Sequence, residues 1–185
     1  MYIKIDKQGS TLTSWILQDF NIGDISCQII EFTVEHHDYV MVFNLVNATR
    51  TKDMINEKAD ELGIEYREHS YEVKFDLKVN FESDNFFDKP DIALSVTAMR
   101  ELGYIIKELL DFHYRNSHAE AYLYVAESDK LKRFYDRLAK LYSEELHFVV
   151  TNNLGEEALG YEITTPSYKS ERGESRSDEE NQSGL

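Results

Sequence analysis

Between Ala119 and Thr151 a short apolar run, a strongly amphipathic segment and a second apolar run follow one another with almost no linker, which restricts the possible folds more than any other stretch. Ala121-Tyr122-Leu123-Tyr124-Val125-Ala126 reads as a buried strand. Glu127-Ser128-Asp129 then supplies acids and a hydroxyl where a helix takes its N-cap. Leu131, Phe134, Tyr135, Leu138, Leu141 and Tyr142 fall 3, 4, 7, 10 and 11 residues after the first, one stripe at helical period. His147 to Thr151 returns to strand character. A strand, helix and strand in this order call for helices layered on a sheet.

Other segments extend the sheet. Gln28 to Val34 and Tyr39 to Val46 are β-rich runs joined through Glu35-His36-His37-Asp38, which predicts a hairpin. From Tyr71 to Asn80 apolar residues hold every odd position and polar ones every even position, the pattern of a strand with one face on the core. Gly160 to Thr164 is a last short strand, reached through Asn152-Asn153-Leu154-Gly155. Phe81 to Pro90 reads as a loop, and Pro90-Asp91 opens a long predicted helix to about Tyr114. Its stripe is Val96, Met99, Leu102, Ile106, Leu109, Leu110 and His113. Thr51 to Leu62 predicts a helix closed by Gly63, and Ser10-Thr11 a cap for a short helix carrying Trp15, Ile16 and Phe20. The expected fold is therefore α+β: a mostly antiparallel central sheet of about six strands, with two main helices packed on it. One domain is expected over residues 1–165, followed by a polar, disordered tail over 166–185.

Charge and cysteine content narrow the function. With 20 basic and 35 acidic side chains the formal charge is −15, which repels nucleic-acid phosphates and anionic lipid. An acidic surface of this kind either keeps a protein soluble or imitates DNA toward a nucleic-acid-binding protein. The tail carries three basic and five acidic residues, so most of the acidity belongs to the folded part. Cys27 is the single cysteine and admits no intrachain disulfide. The first residues are charged and lack the apolar core of a signal peptide, and no run approaches the roughly 20 apolar residues of a membrane span. A cytoplasmic setting with no membrane contact is expected. The histidines do not show metal-ligand spacing, and no Walker, Gly-x-Ser-x-Gly or dinucleotide pattern occurs.

Ser128-Asp129-Lys130-Leu131-Lys132-Arg133-Phe134-Tyr135-Asp136-Arg137-Leu138-Ala139-Lys140 resembles the last-helix pattern of the GNAT acetyltransferase superfamily, Asn-x-x-Ala-x-x-Phe-Tyr-x-x-Leu-Gly-Phe. Phe134, Tyr135 and Leu138 agree with it; Ser128, Leu131 and Ala139 depart. Over about residues 65 to 164 the order of elements is also similar to that family, and to small bacterial and phage proteins of the same layout. The resemblance implies a GNAT-like fold and, for an active member, acetyl-CoA as cofactor and Tyr135 as general acid toward the departing thiolate. A tyrosine with a pKa near 10 can donate that proton at neutral pH. Tyr135 also belongs to the helix's buried stripe, which is the plainer account of it.

The family's pyrophosphate loop needs a glycine-rich turn at a helix start, where free backbone N–H groups meet phosphate. The nearest run, Arg100-Glu101-Leu102-Gly103-Tyr104-Ile105, ends in isoleucine and lies some nine residues inside the predicted helix. No phosphate cradle is expected there. The outward face of the last helix gathers Lys130, Lys132, Arg133, Arg137 and Lys140, of which Lys130, Arg133 and Arg137 are candidates to bind CoA or another anion; a solvated helix face is the plainer alternative. The expectation is a non-enzymatic binding or assembly protein, in the manner of a phage-encoded one, with a protein partner and no cofactor or metal. It would act through its acidic surface on a GNAT-like scaffold. An acetyl-CoA-dependent N-acyltransferase is the alternative, and a DNA-mimic inhibitor the third. The enzyme would need a V-shaped opening between the strand before the long helix and Ala121 to Ala126.

Overall fold

The strand periodicity from Tyr71 onward places Val73 and Leu77 in the core, and the computed structural model shows why that face is buried. It describes residues 15–22, 25–46, 57, 59–64, 67–86, 88 and 93–167. Seven strands, β1 (Gln18–Ile22), β2 (Ile25–Val34), β3 (His37–Leu45), β4 (Ser70–Leu77), β5 (Ala121–Val125), β6 (Val149–Leu154) and β7 (Gly160–Thr164), form one sheet in the order β1-β2-β3-β4-β5-β7-β6. Every neighbouring pair is antiparallel except β4 and β5, which are parallel. The fold is α+β with a mostly antiparallel open sheet, as expected. Among the described residues no helix is long and apolar enough to cross a membrane.

Alternation decides which residues face the helices. On β2 and β3, Ile30, Phe32, Tyr39, Met41 and Phe43 point to the main core, whereas Cys27, Ile29, Val40 and Val42 form a smaller cluster on the other face. Phe81 from α1 (Lys78–Glu82) packs on that second cluster. Helices α2 (Val96–Ser117) and α3 (Asp129–Glu145) cover the main core together. They approach closely at Gly103, where a Cβ would stand 3.6 Å from Leu138 and 3.9 Å from Phe134. The Lys107 ammonium, on a nearly buried side chain, bridges the helices by donating to Glu145 at 2.7 Å.

Several expectations change. Phe20 lies on a strand, not a helix, because Gln18–Ile22 pairs with Ile25–Ile29 across a tight connection. The strand expected through Asn80 stops at Leu77: Lys78–Glu82 turns helical, and the Asn80 amide donates to Asp76 and to the Asp88 carbonyl. Part of the loop expected from Phe81 is therefore the end of α1. The long helix begins at Val96 and not at Asp91, because the Ser95 hydroxyl accepts from the Ala98 N–H and closes the first turn there. It runs on to Ser117, where His118 takes a left-handed φ of 53°. The β2–β3 hairpin is tighter than expected, with only Glu35 and His36 between the strands. Gly63 does end a helical turn at Ala59–Leu62 with φ 67°, while Ser10-Thr11, most of Thr51 to Leu62 and residues 168–185 lie outside the described residues.

Candidate functional site

The resemblance directs attention to the junction of β4 and β5. The two strands pair only over Ser70–Glu72 with Ala121–Leu123. Beyond Glu72, β4 continues to Leu77 and β5 to Val125 without pairing each other, so the sheet opens toward the ends from which α2 and α3 start. Such an opening exposes backbone groups and admits a ligand only if side chains leave it vacant.

Side chains fill it. Tyr135, on the sheet-facing side of α3, stands with ring centroids 6.1 Å from Phe75 of β4, 5.3 Å from Tyr124 of β5 and 5.7 Å from Tyr161 of β7. Phe134 adds a second contact to Phe75 at 5.7 Å. Tyr135 is 4% exposed. Burial, reinforced by Tyr142, Glu127, Tyr161 and Asp76, pushes its hydroxyl far above the ordinary tyrosine pKa. The hydroxyl therefore stays protonated at neutral pH, but it is sealed among rings. The recess beside it, lined by Tyr124, Leu138, Tyr142 and Tyr161 among others, is apolar and offers about 10 Å³, the room of one water.

The start of α2, where an anion would look for free N–H groups, is also occupied. Ser95 accepts from Ala98, and its hydroxyl donates to the Glu35 carboxylate at 2.8 Å. The hairpin tip thus brings a negative charge to the place where a pyrophosphate would need none. The Arg100 to Ile105 run lies inside α2, and its Gly103 serves the contact with α3.

No family model, curated protein or solved structure matches this chain.

The structure separates the four sequence-derived site residues. Lys130, Arg133 and Arg137 are exposed and recur at i, i+3 and i+7, one stripe on the outer side of α3, while Tyr135 points to the sheet. Arg137 lies over the Phe134 ring at 5.7 Å. Lys130, Arg133 and Arg137 make no ion pair among the described residues. The other cations of that helix are engaged: Lys132 donates to Asn153 of β6 at 2.7 Å and lies 5.4 Å from the Tyr161 ring, and Lys140 pairs with Glu144 at 3.7 Å. Among the described residues no three His, Cys, Asp or Glu side chains converge as metal ligands.

Sequence reading missed a buried polar centre. His113 of α2 is fully buried and stacks on Phe43 with ring centroids 3.8 Å apart. Its Nδ1 lies 2.9 Å from the Tyr122 hydroxyl and 3.1 Å from the Ser117 hydroxyl, and its Nε2 lies 3.1 Å from Oε1 of Gln28. An amide oxygen only accepts, so Nε2 carries the proton and Nδ1 accepts. Burial pushes the imidazole down to about 3, which keeps it neutral. Placement of His113 on an apolar helical stripe was the signal for its burial; nothing local announced Gln28 or Tyr122 as partners.

Proposed function

We propose that this chain is a non-enzymatic binding protein on a GNAT-like scaffold, and that it receives an acidic segment of a partner protein along Lys130, Arg133 and Arg137. The observation that carries the reading is the division of α3 into two faces. The inward face, with Tyr135, closes the β4–β5 opening with rings, and the outward face leaves three cations without ion pairs in a chain of net charge −15. Where carboxylates outnumber cations, a stripe of free cations favours an anionic visitor over distances of about 8–10 Å at ordinary salt. The Glu35–Ser95 contact at the head of α2 weighs against a pyrophosphate group.

The test is fluorescence anisotropy of a labelled glutamate-rich peptide titrated with the purified protein. Saturable binding is expected, weakening as salt rises and disappearing in the triple variant Lys130→Glu, Arg133→Glu, Arg137→Glu. No binding, or equal binding by the variant, sinks the proposal. The second reading, an acetyl-CoA-dependent acyltransferase, draws on the divergence of β4 from β5. It predicts that acetyl-CoA at 100 times its Kd stabilises the fold by about 2.7 kcal/mol, or roughly 5 to 11 °C in Tm. The binding reading predicts no shift.

A further inference from the structure

The strand that ends the sheet beside α3 has none of the protection usual for an edge. β6, Val149-Val150-Thr151-Asn152-Asn153-Leu154, carries no charge and no proline in a chain that is 30% charged. Its outer side has no strand neighbour among the described residues, and Val149 is 66% exposed. The opposite edge, β1, carries Asp19, held by the Gln28 amide. Edges that remain single are normally blunted by charge, proline or bulges. Here the one irregularity falls between Asn152 and Leu154, where Asn153 takes φ 58°; pairing with β7 is regular from Val149 to Asn152. An open, uncharged template of four residues is left.

We infer that β6 is the contact by which two copies of this chain pair, antiparallel, about a twofold axis at Thr151 perpendicular to the sheet. Opposed residues must share a face of the sheet, so Thr151 meets Thr151 of the second copy and Val150 meets Asn152 of the second copy. The helix above supports a second copy rather than a foreign strand. Lys132, Asp136, Lys140 and Glu144 follow one another at i+4 steps along α3, starting on the side where Lys132 reaches Asn153, and their signs alternate. A row of alternating charge is self-complementary when reversed: Lys132 meets Glu144 and Asp136 meets Lys140 of the other copy. The centre of that reversed row is Leu138, near the middle of α3, and β6 returns along α3 so that Thr151 lies beside the middle of the helix. Strand register and helix charges therefore call for the same axis. This pairing does not depend on what Lys130, Arg133 and Arg137 bind.

The mass of the full chain in solution, measured by light scattering over a range of concentrations, is expected to rise to twice 21.7 kDa. Thr151→Cys places two thiols across the axis with Cα atoms about 5 Å apart, within disulfide range, so copper-phenanthroline oxidation is expected to crosslink it. Val149→Cys is expected to stay uncrosslinked, its two copies lying roughly 13 Å apart along the strands. Cys27 is buried, and the unmodified chain is the control. Thr151→Lys, at an exposed strand position, is expected to give a monomer with unchanged circular dichroism. A monomer at every concentration overturns the inference and leaves the edge to a strand from another protein. A dimer indifferent to Thr151→Lys, or one crosslinking equally at 149 and 151, overturns it as well.

Discussion

Acidification from pH 7 to pH 5 is expected to destabilise the fold through His113 before carboxylate protonation contributes most of its own effect. The imidazole has a native pKa of about 3 against 6.5 for an unperturbed side chain. Its native value is depressed, so below pH 6.5 the unfolded chain takes up a proton that the native chain refuses. Stability is fully present above pH 6.5 and is lost as pH falls toward 3. Over the interval from pH 7 to pH 5 the loss is about 2 kcal/mol, from an unfolded state that is almost wholly protonated at pH 5 and a native state that is not. The groups against the ring are Tyr122, Ser117, Gln28, Phe43 and Tyr71, with no carboxylate in contact to rescue an imidazolium. Urea unfolding at both pH values, in the native sequence and in His113→Gln, measures the effect. The variant is expected to be less stable at pH 7, because glutamine cannot reproduce the stacking on Phe43, but flatter between the two pH values by about 2 kcal/mol. Parallel losses in the two proteins would refute the argument and assign the acid sensitivity to other groups.

Two further substitutions examine the helix pair. Gly103→Ala is expected to stabilise by roughly 0.5–1 kcal/mol, because its Cβ meets Leu138 at an ordinary 3.6 Å and alanine improves a helix interior; differential scanning calorimetry that shows a loss would mean the helices are closer than described. Lys107→Met keeps the buried stem and removes only the ammonium, whose partners Glu108 and Glu145 are 53% and 40% exposed and regain water. A cost of about 1 kcal/mol in chemical denaturation is expected, with Lys107→Ala clearly worse through the lost packing.

Where a rule of local geometry was enough, the sequence was readable. From Tyr71 to Leu77 the alternating pattern identified the inward face, and Ser128 was placed as the cap of α3, where its hydroxyl accepts from the Leu131 N–H. Val79 broke the same rule, because the amide of Asn80 found Asp76 and Asp88 and turned the chain into α1. The start of α2 offered two competing signals, Pro90-Asp91 and Ser95, and the second prevailed through its bond to Ala98. Phe20 was misplaced because its strand exists by pairing with Cys27 and its neighbours, which no window around Phe20 reveals. At the candidate site, counting charges found the basic helix face, but only the fold shows Lys132 drawn to β6 while Arg133 stays free. The same limit applies to Tyr135, whose neighbours Phe75 and Tyr161 are distant in sequence.

The short parallel ladder between β4 and β5 also bears on how the chain reaches its native state. On either side of it lie blocks of antiparallel strands, β1 to β4 and β5 to β6, largely joined by near neighbours in sequence. Each block can zip up from local hairpins, whereas the ladder joining them closes a loop of roughly 50 residues that contains all of α2. The junction is therefore a late folding event, held once made by a wedge of aromatic rings more than by backbone pairing. It is also the line along which the sheet flexes most easily, a hinge between two stiffer plates.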